Sequence, residues 1–141
     1  FSELPYKFEA GTPNIAGVIG LGAAVDFINE IGYAEISAHT KAITGYALEQ
    51  LKAMEGIQVI GDVDDRAPVI SFVMEGVHAH DLSTFLNEKG ICIRAGHHCA
   101  QPLMHRLNLM ATARISFAIY NTKADIDALI IALKETQAFL S

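Results

Sequence analysis

The sequence predicts an α/β (α+β-like) domain, with helices layered on a small mixed or antiparallel sheet. Three observations carry that expectation. Short β-branched and aromatic runs, "IQVI", "VISFVM", "ICIRA" and "TARISFAI", read as strands. Longer stretches with apolar residues at helical spacing lie around them, giving the order α-α-β-β-α-β-(α)-β-α. Hydrophobic residues make up 51% of the 141 and charged residues 18%, which supports one packed core and argues against disorder.

Residues 1–11 read as irregular. In "TPN", Thr12 is a suitable N-cap and Pro13 a suitable first helical residue, so a helix is expected over about 12–31, stopped by Gly32. It is apolar almost all round (Ile15, Val18, Ile19, Leu21, Val25, Phe27, Ile28). Such a helix needs cover on several sides, from another domain or subunit. A second helix over 34–54 places Ile36, Ile43, Ala47, Leu48 and Leu51 on one face. Strands follow at 57–60 and 69–74, separated by the turn region "DVDDRAP". Asp81 is read as the cap of a helix over 82–89, closed by Gly90. A strand over 91–95 ends at Gly96, a short helix starts at Pro102, and a strand covers 112–119. Thr122, with Asp125 three residues on, opens the last helix, whose stripe is Ile126, Leu129, Ile130, Leu133 and Phe139.

Charge and composition exclude several functions. Ten basic against sixteen acidic residues give a net charge of −6, and the basic residues form no stripe, so nucleic acid is not an expected partner. The apolar stretch 15–25 is too short to span a bilayer and lacks the basic flank of a secretory signal. Two cysteines, Cys92 and Cys99, are too few for a disulfide scaffold and fit reduced thiols in the cytoplasm. The chain starts at Phe1, so a processed product or a piece of something larger is expected.

Among motifs, "GVIGLG" (17–22) has neither the spacing nor the strand–helix context of a dinucleotide loop. His78 and His80 in "HAHD" are two apart and would not share a helical face. Gly11 and Thr12 in "EAGTPN" are either an ordinary helix start or a phosphate-binding one. Arg114, inside an apolar strand, is either half of an internal ion pair, an edge residue, or a fixed guanidinium for a substrate carboxylate. "RAGHHCAQP" (94–102) gathers Arg94, His97, His98 and Cys99. Adjacent His97, His98 and Cys99 are too crowded for one metal, and no second ligand pair exists, so no metal is expected. An inert loop and a reactive cysteine assisted by nearby positive charge both remain open.

"RAGHHCAQPL" (94–103), "FEAGTPN" (8–14) and "RISFAIYNT" (114–122) together resemble the C-terminal part of Suf-type (group II) cysteine desulfurases. These are pyridoxal 5'-phosphate enzymes of the class V aminotransferase group, of fold type I. The resemblance runs from the first residues to the last helix. It implies conversion of L-cysteine to L-alanine, with the sulfur carried as a persulfide on Cys99 and passed to a Suf-type acceptor protein for iron–sulfur cluster assembly. It further implies that Arg114 holds the substrate carboxylate and that Arg94 lies near the substrate. Gly11 and Thr12 are implied to reach the cofactor phosphate of the other subunit of a homodimer, while His97 and His98 are read from their charge and position as loop residues supporting the thiolate. Residues 1–141 would then be the small C-terminal domain, with the 12–31 helix packed on a large domain and the partner subunit. The family's cofactor lysine follows a histidine, and no His–Lys pair occurs here, so this chain alone is expected to be inactive. A selenocysteine lyase of the same family is the alternative enzyme reading. A stand-alone sulfur-relay or binding module is the non-enzymatic one.

Overall fold

The computed structural model describes residues 2–140 and divides into two compact units, Phe1–Ile36 and Ser37–Ser141. The first holds a 3-10 turn at Tyr6–Phe8, where the sequence predicts only irregular chain, and helix α1 (Ile15–Ile31). Asn14, not Thr12, caps α1: its side-chain oxygen accepts from the Gly17 N–H at 3.0 Å. Residue 17 is glycine, and a Cβ there would collide with the Asn14 carboxamide. Thr12 and Pro13 therefore precede the helix. No residue of α1 is buried, and Ile15, Val18, Ile19, Leu21, Val25 and Phe27 are all exposed. Gly32 ends the helix as expected, with a φ of 87°.

The second unit is a four-stranded antiparallel sheet whose core face packs against three helices. Helix α2 (Tyr33–Lys52) runs into it, followed by β1 (Ile57–Ile60), β2 (Val69–Met74), α3 (Ala79–Glu88), β3 (Arg94–Gly96), α4 (Gln101–Leu107), β4 (Thr112–Ser116) and α5 (Lys123–Leu140). The strand order is β1-β2-β4-β3, so β4 lies inside the sheet and β3 at its edge. Strand residues alternate between faces. The register pairs Phe72 with Ala113 and Ile70 with Ile115, which puts these buried residues on one face. Ile43, Ala47 and Leu51 of α2, Leu82 and Leu86 of α3, and Ile126, Leu129, Ile130 and Leu133 of α5 complete the core beneath it. Burying each of these large side chains stabilises the fold by roughly 1.5–3 kcal/mol before chain entropy is counted. Phe139, expected in the α5 stripe, is exposed and instead meets the Phe85 ring at 5.7 Å.

Several boundaries differ from expectation for local reasons. α3 starts at Ala79, with His78 as N-cap accepting from the His80 N–H, and Asp81 falls in the first turn, where its charge suits the helix dipole. β3 covers only Arg94–Gly96, because it pairs with just three residues of β4, while Ile91 and Ile93 pack against the core. β4 ends at Ser116. Beyond it, Phe117 donates to the Pro68 carbonyl, and the Asn121 side chain accepts from the Ala118 N–H, turning the chain. At α5, Asp125 accepts from both the Thr122 N–H and its hydroxyl, which holds its carboxyl below the usual range.

Candidate active site at the His97–Ala100 turn

The sheet face opposite the core carries the site. Arg94 and Arg114 are direct cross-strand partners, so their side chains leave the sheet on one side, where the next pair on the same face is Gly96 and Thr112. Two guanidiniums side by side repel each other unless an anion shares them. Arg114 lies on an interior strand, which removes the edge reading. No carboxylate among the described residues forms an ion pair with it. Its Nε is buried without a hydrogen-bond partner. A buried donor left unmade costs about 1–3 kcal/mol.

Gly96, with a φ of 126°, leads the chain out of β3 into a tight turn. The Ala100 N–H donates to the His97 carbonyl at 2.9 Å, and both central residues, His98 (φ 55°) and Cys99 (φ 60°), are left-handed. Positive φ at both positions is the mark of a type I′ turn, normally filled by Gly, Asn or Asp. Here the second position is a cysteine, exposed, with its Sγ 3.7 Å from Arg94 Nη2. α4 begins at Gln101, two residues later, with Pro102 in its first turn.

His98 turns inward. Its Nε2 lies 3.0 Å from the Thr112 carbonyl oxygen and 2.9 Å from the Thr112 hydroxyl. A carbonyl only accepts, so Nε2 carries the proton and donates. Nδ1 then holds the lone pair, buried and without a partner. Burial, followed by the charges of Arg114, Arg94 and His97, pushes His98 below its ordinary value, against the opposing hydrogen bond to Thr112. The imidazole is therefore neutral at pH 7. His97 stays exposed and contributes its carbonyl to the turn.

The structure thus brings Arg94, His98, Cys99 and Arg114 together around one turn. It adds Thr112, which the sequence marks only as the start of a strand. A fully buried threonine in an apolar strand, 14 residues from His98, is its only signal. Gly11 and Thr12 belong to the first unit. Both are exposed, and space is open around Gly11. Cys92 is exposed and has no role at the turn.

The arrangement presents a thiol beside the Arg94 guanidinium, whose cross-strand neighbour is Arg114, which suits attack on a sulfur held by an anionic substrate. It does not by itself fit pyridoxal phosphate bound through a lysine. Lys52 pairs with Asp62, Lys89 with Glu135, Lys7 and Lys123 lie over Phe8 and Tyr46, and Lys41 and Lys134 sit on α2 and α5.

Known proteins resemble the chain along almost its whole length. A probable cysteine desulfurase of Halalkalibacterium halodurans is 53% identical over 139 residues, covering 99% of this chain and 34% of that protein. One from Staphylococcus aureus (strain Mu50) is 52% identical over 142 residues, covering 100% and 34%. The chain thus spans about a third of the length of these relatives. The crystal structure of the cysteine desulfurase CsdA from Escherichia coli superposes with a TM-score of 0.89 at 38% identity, over 99% of this chain and 35% of that one. The apo cysteine desulfurase of Thermococcus onnurineus NA1 matches 96% of this chain and 34% of its own, with a TM-score of 0.89 at 36% identity. Residues 1–129 match the family described as Aminotransferase class-V, a stretch that holds Arg94, His98, Cys99, Thr112 and Arg114 together. The chain belongs to the aminotransferase class-V family.

Proposed function

We propose that this chain is the small C-terminal domain of a cytoplasmic, homodimeric cysteine desulfurase, and that it supplies the persulfide-carrying loop and the substrate-carboxylate clamp. The observation that carries this reading is Cys99 Sγ at 3.7 Å from Arg94, whose cross-strand partner is the unpaired Arg114. Arg114 takes the carboxylate of L-cysteine, giving its buried Nε an acceptor. The Cys99 thiolate attacks the substrate sulfur. An S–S bond forms as the substrate's C–S bond breaks, and the carbon keeps the bond pair and takes up a proton, leaving L-alanine. Arg94 holds the sulfur's charge, and His97 and His98 support the turn. Exposure of Cys99 lets a Suf-type acceptor protein collect the persulfide sulfur for iron–sulfur cluster assembly. The resemblance assigns Gly11 and Thr12 to the cofactor phosphate of the partner subunit, and the exposed apolar surface of α1 to packing on the large domain. Pyridoxal phosphate activates the substrate's C–S bond in such enzymes. Its lysine is not supplied by this chain, which alone is inactive.

The test is Cys99→Ser in the full-length protein. Persulfide formation from L-cysteine should be abolished while the cofactor's absorbance is retained. Protein-bound persulfide at the normal rate in that variant removes Cys99 from the role.

A further inference from the structure

We propose that His98 and Thr112 form a latch that holds Cys99 in its left-handed turn, and that both are positioning residues for sulfur transfer. The proposal rests on the reading of Cys99 as the persulfide carrier. It goes beyond that reading by assigning Thr112 and by giving His98 a defined task.

The argument starts from backbone strain. Two consecutive non-glycine residues with φ near 55–60° are held where L side chains are disfavoured. Such a turn persists only when its surroundings over-determine it. One backbone bond, from Ala100 to His97, closes it. The other restraints are the contact of Cys99 Sγ with Arg94 Nη2 and the imidazole of His98, whose Nε2 reaches both polar oxygens of Thr112. Thr112 is fully buried on interior strand β4, two residues before Arg114. Alternate residues of a strand share a face, so the latch ties the turn bearing Cys99 to the strand that bears the carboxylate clamp. Nucleophile and clamp are thereby held at one spacing, and reacting atoms must meet within a few tenths of an ångström for full rate.

Neutrality of the imidazole follows from the same site. Burial acts first on His98, and its charged or titratable neighbours are Arg114, Arg94 and His97, with Cys99 next in the chain; the two guanidinium charges oppose a second proton. Nδ1 is buried and has no hydrogen-bond partner, so it is closed to a substrate proton. The latch therefore acts through Nε2 alone, which separates it from general-base chemistry.

Two substitutions in the full-length enzyme divide this idea from a merely steric one. In His98→Gln the amide nitrogen reaches the place of Nε2 and can donate to Thr112. In His98→Asn it falls one bond short, yet asparagine is more at ease in the left-handed region. The latch predicts that Gln substitutes better than Asn, and backbone strain alone predicts the reverse. Hydrogen exchange resolved to the Ala100 amide should quicken about fivefold or more in His98→Asn and stay within about threefold of wild type in His98→Gln. In parallel, kcat for persulfide formation should fall about tenfold in His98→Asn with KM for L-cysteine little changed, since Arg114 is untouched. Unchanged Ala100 exchange in His98→Asn, or Asn outperforming Gln, overturns the latch. Faster exchange with normal kcat overturns its positioning role. A wild-type enzyme that forms no persulfide on Cys99 overturns the functional reading and the positioning role with it, while the exchange comparison still decides the latch.

Discussion

Replacing Arg114 by methionine should move stability and activity in opposite directions. The side chain is half-buried, its Nε is orphaned, and its cross-strand neighbour is another guanidinium. Methionine keeps much of the packing volume and removes both penalties. An unmade buried donor costs about 1–3 kcal/mol. A like-charge pair directly opposite in a sheet costs roughly 0.2–1 kcal/mol more. Taking about 2 kcal/mol as the net gain, the Tm of the 141-residue chain should rise by roughly 5–10 °C. On the proposed role of Arg114, the same change in the full-length enzyme removes a bidentate, charge-assisted hold on the substrate carboxylate, worth about 3–4 kcal/mol. That lowers kcat/KM for L-cysteine by about 10²–10³. Thermal denaturation by circular dichroism and steady-state alanine release measure the two effects. A Tm lowered by several degrees would show that Arg114 is an internally satisfied structural residue. An unchanged kcat/KM would refute its assignment to the carboxylate.

Two further outcomes are expected. His98 is depressed below its ordinary value of about 6.5 in the fold, so as pH falls the unfolded chain takes the proton first. Its contribution to stability is full above pH 6.5, shrinks as pH falls toward the folded value, and is lost below it. Wild type should therefore lose more Tm between pH 7.5 and 5.5 than His98→Gln, and equal losses would contradict the neutral imidazole. Leu133→Ala, at a fully buried position of α5, should destabilise by about 2–5 kcal/mol and lower Tm by roughly 10 °C or more. A loss of only a degree or two in calorimetry would place Leu133 outside the core.

Much of the fold was legible because its signals are local. The runs "IQVI" and "VISFVM" became β1 and β2 at the expected residues, and the α5 stripe packs as its spacing indicates up to Leu133. What escaped depends on contacts distant in sequence or on unusual chemistry. Thr12 and Asn14 are both competent caps, and the choice fell to Asn14, whose carboxamide fits against Gly17. His78 is a rare cap, so Asp81 drew the expectation. Cys99 and Arg114 stood out as individual residues. Their relation did not, because it is made by the β3–β4 register and by a His98–Thr112 contact across 14 residues. Composition gives no hint that the turn is of the left-handed kind, since histidine and cysteine are not its usual occupants.

The paired arginines have a consequence for how this site meets its ligands. The chain as a whole is acidic, at −6, so its net charge offers no attraction to an approaching anion. Salt confines exposed charge effects to about 8 Å at physiological ionic strength. Within that radius the field is reversed by Arg94 and Arg114 on a single sheet face. On the proposed role of these arginines, this chain draws in an anion only at short range, where the two guanidiniums outweigh the surrounding acidic charge.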